Sequence, residues 1–144
     1  MKKIVFVCLG NICRSPMAEF VMKNLTDNFK IESRATSGWE HGNPIHQGTQ
    51  SVLKKHGVFY DKTKTSQQIS KKDFTEFDLI VGMDESNVRD LKRMAPVETQ
   101  DKIYQFETES VPDPWYTGDF DATYDMVVAG CNKWLDYLED TNDK

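Results

Sequence analysis

The chain has 144 residues, 38% hydrophobic and 28% charged, with a formal net charge of −5. That length predicts one domain over residues 1–144, and the acidic balance with no apolar run of membrane-spanning length argues against nucleic acid and membrane as partners. Three cysteines make no disulfide framework, and without a signal-peptide core the expected setting is the cytoplasm, where thiols stay reduced, with export by another route left open.

Lys3 to Val7 predicts the first strand, through the apolar run Ile4-Val5-Phe6-Val7. Cys8 to Ser15 then forms a loop, and Ser15-Pro16 predicts a helix start: a capping residue, then proline at the first helical position. Met17, Phe20, Val21 and Leu25 mark that helix's apolar face. Ile31 to Ser37 reads as a second strand, and Gln47 to His56 as a short helix stopped by Gly57. Ser70 with Asp73 has the form of a capping box. A third strand runs from Phe77 to Met83, a helix from Asp84 to Met94 ends before Pro96, and Lys102 to Phe106 is the fourth strand. Residues 107–120 read as irregular. The last helix carries Tyr124, Val127, Val128, Cys131, Leu135 and Leu138 as a core-facing stripe. Strands alternating with helices imply an α/β fold with a parallel sheet covered on both faces, and ligands in such sheets bind beyond the strands' carboxyl ends.

The loop after strand one leaves from such an end. Its backbone N–H groups can curl inward into an anion-binding nest. Arg14, six positions after Cys8, adds a planar, always-charged fork suited to phosphate oxygens. Cationic surroundings and a helix N-terminus predict a thiolate at Cys8, placed beneath the bound phosphorus. The phosphate-binding set is therefore Leu9, Gly10, Asn11, Ile12, Cys13, Arg14 and Ser15. With positive potential supplied by the loop, no metal or cofactor is called for. Ser15 is placed to donate to the sulfur as well as to cap the helix, and Asn11 to brace the loop.

The run Cys8-Leu9-Gly10-Asn11-Ile12-Cys13-Arg14-Ser15-Pro16 resembles the low-molecular-weight protein tyrosine phosphatases. The resemblance continues in Asp84-Glu85-Ser86-Asn87 and in Asp113-Pro114-Trp115-Tyr116, over nearly the whole chain and in the family's order. It implies a single-domain, doubly wound, four-stranded parallel sheet in the order 2-1-3-4, with helices on both faces. It implies hydrolysis of phosphotyrosine in protein substrates through a phosphocysteine on Cys8. From the residues alone, Asp113 is either a proton donor stiffened by Pro112 and Pro114 or an acidic turn residue; the resemblance implies the general acid and base. Cys13 reads as a small packed residue, and the resemblance implies that it can form a protective disulfide with Cys8.

Trp39, Trp115 and Tyr116, with Ile12, are expected to wall a slot for a phenyl ring. Trp134 is expected to be structural, Asp84 to cap a helix, and His41, His46 and His56 to lie on the surface or in packing. The family often carries Asp-Pro-Arg where this chain has His46-Gln47-Gly48, which leaves any salt bridge there without its residues. Three rival readings compete. A thiol-relay arsenate reductase needs further thiols, and Cys131 alone remains, on the core stripe. For a protein-arginine phosphatase the resemblance suggests threonine in place of Ile12. An inactive phosphotyrosine-binding module has no need of Cys8, Arg14 and Asp113 together.

Overall fold

The computed structural model describes residues 1–142. Four strands, β1 (Lys3–Cys8), β2 (Lys30–Ala35), β3 (Leu79–Gly82) and β4 (Ile103–Gln105), pair in parallel in the order β2-β1-β3-β4. Two consecutive strands, β1 and β2, sit side by side, and the chain then crosses to the far side of β1 to lay down β3. Cys8 ends β1 opposite Ala35 of β2, and Val7 pairs with Gly82 of β3, so the loop after Cys8 emerges between two strand ends.

Alternation along β1 divides the core. Ile4, Phe6 and Cys8 face a cluster containing Met17, Phe20 and Met22 of α1 (Arg14–Leu25) and Val127, Cys131 and Leu138 of α6 (Phe120–Asn142). Val5 and Val7 face the opposite cluster, with Phe74 of α3 (Lys71–Glu76) and Leu91 of α4 (Glu85–Met94). This is the two-residue side-chain period of a strand buried on both faces. Each fully buried Phe, Ile or Met contributes about 1.5–3 kcal/mol of transfer free energy. A shorter helix, α2 (Gln47–Lys55), leans on α1 and α6. Among the described residues, no helix is long and apolar enough to cross a membrane.

The capping box forms as predicted: Ser70 Oγ accepts from the Asp73 N–H, and Asp73 Oδ2 accepts from the Ser70 N–H. Four expectations are corrected. Leu25 is exposed, because it falls in the last turn of α1, where residues 23–25 face solvent; Ala18 and Met22 complete the buried face instead. Strand two stops at Ala35, two residues early, because its partner β1 ends at Cys8: Thr36 N–H still donates to Cys8 O at 2.9 Å, but Ser37 N–H already meets Leu9 O of the loop at 3.2 Å. Strand three starts only at Leu79, since Phe77 closes α3 by donating its N–H to Asp73 O. Residues 107–120 are not wholly irregular: α5 (Pro114–Thr117) is a single turn capped by Asp113.

Candidate active site

Cys8 is the last residue of β1, and the chain reverses directly after it. Asn11 makes the reversal possible with a left-handed backbone, φ +56°, which asparagine tolerates better than most non-glycine residues. Its side chain holds the shape: Nδ2 donates to Ser15 Oγ at 2.8 Å and Ser33 Oγ at 3.0 Å, and Oδ1 accepts from the Gln67 N–H at 3.1 Å. Ser33 in turn donates to Glu19, which lies 3.4 Å from Lys64 Nζ. Burial pulls the Lys64 pKa down in spite of Glu19. Ser66 Oγ braces the same loop through Gly10 O at 2.7 Å.

Three groups converge on Cys8 Sγ: the Asn11 N–H at 3.2 Å, the Ser15 N–H at 3.4 Å and Ser15 Oγ at 3.1 Å. The two amides donate to the sulfur, and either partner of the Ser15 Oγ contact can be the donor. The capping role predicted for Ser15 is corrected here. Helix α1 begins two residues earlier, at Arg14 after Cys13, and has no side-chain cap. Ser15 is therefore inside the first turn, its hydroxyl on the sulfur, and Pro16 is the third helical residue. Proline costs no bond there, because the first turn's N–H groups have no helical acceptor; the first such bond comes from Met17 N–H to Cys13 O.

Arg14 is 2% exposed and tied on three sides. Its NH1 donates to Asp84 Oδ2 at 2.6 Å and Val111 O at 2.9 Å, and NH2 to Asp113 Oδ2 at 3.3 Å. Nε is buried with no partner among the described residues, a donor available to an anion. Burial disfavours the guanidinium charge, but Cys8, Asp84 and Asp113 outweigh it and hold the pKa above the ordinary arginine value. Asp84 thus does more than the predicted cap: Oδ1 accepts from the Asn87 N–H at 2.6 Å while Oδ2 holds Arg14.

The cleft at Cys8 is lined by Leu9, Gly10, Ile12 and Cys13 of the loop together with Glu40, Asp113, Trp115 and Tyr116. Trp39 does not line it. The turn after β2 directs Glu40 inward, where its Cγ lies 3.3 Å from the Cβ position of Gly10, and leaves Trp39 80% exposed. A larger groove at the β4 edge, about 400 Å³ between Tyr104, Trp134 and Tyr137, shares no residue with this cleft.

Across residues 3–144 the sequence matches the family described as low molecular weight phosphotyrosine protein phosphatase. The chain belongs to that family. It is 42% identical to the low molecular weight protein-tyrosine-phosphatase PtpA of Staphylococcus aureus, over 96% of this chain and 94% of that protein. The crystal structure of SP-PTP, a low molecular weight protein tyrosine phosphatase from Streptococcus pyogenes, superposes with a TM-score of 0.94 at 59% identity, covering 96% of this chain and 93% of that one. The Drosophila arginine phosphatase DARP superposes with a TM-score of 0.86 at 31% identity, covering 96% and 98%.

Within this family member the remaining candidates fall as follows. Cys13 is buried in the loop, and burial first, then Cys8 and Asp113, push its thiol pKa well up. Cys131 is buried in α6 and its pKa is likewise raised by burial. Trp134 is structural, its Nε1 donating to Phe106 O at 2.8 Å. His56 stacks on Tyr124 with centroids 4.1 Å apart, and His41 is exposed. His46 lies close to the site: its N–H donates to Ile12 O at 2.9 Å.

Proposed function

We propose that this protein tyrosine phosphatase hydrolyses its phosphoprotein substrates by transferring the phosphoryl group to Cys8 and then to water. The observation that carries this reading is the convergence of two amides and the Ser15 hydroxyl on Cys8 Sγ, one loop away from the buried Arg14. The loop amides from Leu9 to Ser15 and the Arg14 guanidinium cradle the phosphate and offset its charge. Sulfur attacks phosphorus, the P–O bond to tyrosine breaks, and Asp113 gives its proton to the departing phenolate oxygen. Water then attacks the phosphocysteine, Asp113 takes a proton from it, and the S–P bond breaks. Ser15 supports the departing thiolate through its hydroxyl, 3.1 Å away.

Ile12 on the cleft floor with Trp115 and Tyr116 at its side supports an aryl ring as the group carrying the phosphate. An apolar isoleucine offers no polar partner to a phosphorylated guanidine, which favours phosphotyrosine over phosphoarginine. Cys13 shares the cleft with Cys8, and both thiols are free. Peroxide would convert Cys8 to a sulfenic acid, which the Cys13 thiol attacks with loss of water to form a disulfide. Such a thiolate enzyme suits a reducing cytoplasmic setting.

Rapid quenching with a ³²P-phosphotyrosine peptide tests the mechanism. Labelled phosphate is expected on the peptide that contains Cys8, with turnover unaffected by chelators. Turnover without a labelled cysteine, or faster turnover of phosphoarginine than phosphotyrosine peptides, would overturn the reading.

A further inference from the structure

His46 touches both halves of the site without belonging to either. Its backbone N–H is bonded to Ile12 O in the phosphate loop. Its Nδ1 accepts from the Gly48 N–H at 2.9 Å and so caps α2. Its ring stacks on Phe120 at the start of α6, with centroids 5.0 Å apart and 21° between planes, and meets Trp115 edge-on at 5.6 Å and 81°. The Trp115 N–H donates to Asp113 Oδ1 at 3.1 Å. Phe120, His46, Trp115 and Asp113 are therefore in unbroken contact, from the wall of α6 to the carboxylate.

Gly48 is part of the same arrangement. A Cβ at that position would fall 2.4 Å from Phe120 Cε2, so the absence of a side chain is what lets Phe120 close over α2 and support the imidazole. The carboxylate itself has few other ties. Its contact with Arg14 is 3.3 Å long, and the neighbouring Trp115 and Tyr116 are 55% and 77% exposed. The His46 ring is a fixed surface against which this exposed turn can rest.

We propose that His46 is a positioning residue for the general acid: its ring, seated on Phe120, holds Trp115, whose N–H sets the Asp113 carboxylate at the side of the cleft. The assignment rests on Asp113 being the proton donor. The bland alternative is that His46 only caps α2. The two roles separate by substitution. His46→Asn keeps a good capping acceptor but has no ring. His46→Phe keeps a ring but has no acceptor.

The test is kcat/KM for aryl phosphates of graded leaving-group ability: 2,4-dinitrophenyl, 4-nitrophenyl and phenyl phosphate. A good leaving group needs little protonation, so misplacement of the acid shows only with poor ones. For His46→Asn we expect a fall of about 10-fold with phenyl phosphate and less than about 2-fold with dinitrophenyl phosphate, the scale of a modest positional error. Inhibition by inorganic phosphate should stay unchanged, because the backbone bond to Ile12 is retained. His46→Phe should restore most of the phenyl phosphate rate while lowering Tm. Gly48→Ala displaces Phe120 without altering His46 and should reproduce the His46→Asn pattern, which decides the matter even where His46→Asn folds poorly. Equal losses for all three esters, no loss, or His46→Phe losing the same selectivity as His46→Asn would each overturn the proposal. Asp113→Asn, run alongside, separates the two levels: if it shows no leaving-group dependence, the reading of Asp113 as acid fails first.

Discussion

The two sides of the cleft are built differently. The phosphate loop is closed and internally bonded: Asn11, Arg14 and Ser15 are buried, and Ser33, Ser66 with Gln67, and Asp84 reach in from three other parts of the chain to hold the loop. The turn from Asp113 to Tyr116 is open, with two exposed aromatics and a single helical turn. The contrast follows from what each must do. An anion site gains from donors fixed before the anion arrives, since no reorganisation is then needed. The proposed acid, which would admit a protein-borne side chain and then meet its leaving oxygen, needs access instead.

The contrast can be broken most severely at the sulfur. Cys8→Ser should lose essentially all turnover yet bind phosphate about as well as wild type, because a serine oxygen can still accept from the Asn11 and Ser15 amides and the bonds from Ser33, Ser66 and Gln67 do not pass through the sulfur. Weakened phosphate binding in a folded Cys8→Ser protein would show that the loop is not preformed. On the open side, Asp113→Asn should reduce kcat/KM for phosphotyrosine peptides by roughly 10²–10⁴-fold, the usual range for a lost general acid. Phosphate affinity should change little there, and a large change would mean that Asp113 helps hold the anion site.

Asp84→Asn is subtler. Asparagine caps a helix as well as aspartate, so α4 should persist and only the charge facing Arg14 is lost. We expect about a 10-fold fall in kcat/KM for all aryl phosphates alike, as for a misoriented guanidinium. A loss that varied with the leaving group would place Asp84 on the acid's side of the cleft. The smallest effect concerns the closed interior. Burial raises the Cys131 pKa, so the folded state keeps that proton above the ordinary thiol value of about 8.5 while the unfolded chain loses it. The associated stability is complete below that pH and falls above it, by up to about 1.4 kcal/mol per pH unit. Urea unfolding between pH 8 and 10 should show a shallower decline for Cys131→Ala than for wild type; parallel declines would mean that Cys131 titrates alike in both states.

What could be read from the sequence was what is contiguous. Cys8 to Pro16 carries the proposed nucleophile, the cation and the helix start in one stretch, because a loop of this kind is local by construction. The alternation of strands and helices likewise predicts a parallel sheet, and the family resemblance supplied the strand order. The unread part is made by distant segments. Glu40, Ser66 and Gln67 are ordinary polar residues without spacing or pattern, Asp84 reads only as a helix cap, and it is the fold that brings all four to the loop. Ser15 shows a different difficulty: serine before proline is the same signal whether the hydroxyl caps a helix or touches a sulfur. Trp39 was expected in the slot because aromatics gather at such sites, but a turn decides which of two neighbours faces inward, and here it is Glu40.

The exposure of Trp115 has an optical consequence. Of the three indoles, Trp134 is bonded to Phe106 O away from the cleft and Trp39 stands in solvent, while Trp115 is half-covered and borders the substrate's entrance. Replacing Trp39 with phenylalanine should remove the most solvent-shifted emission and leave Trp115 as the component sensitive to occupancy. Vanadate or an aryl phosphonate bound over Cys8 should then change the intensity or wavelength of that emission, giving a label-free signal for how quickly the cleft fills and empties.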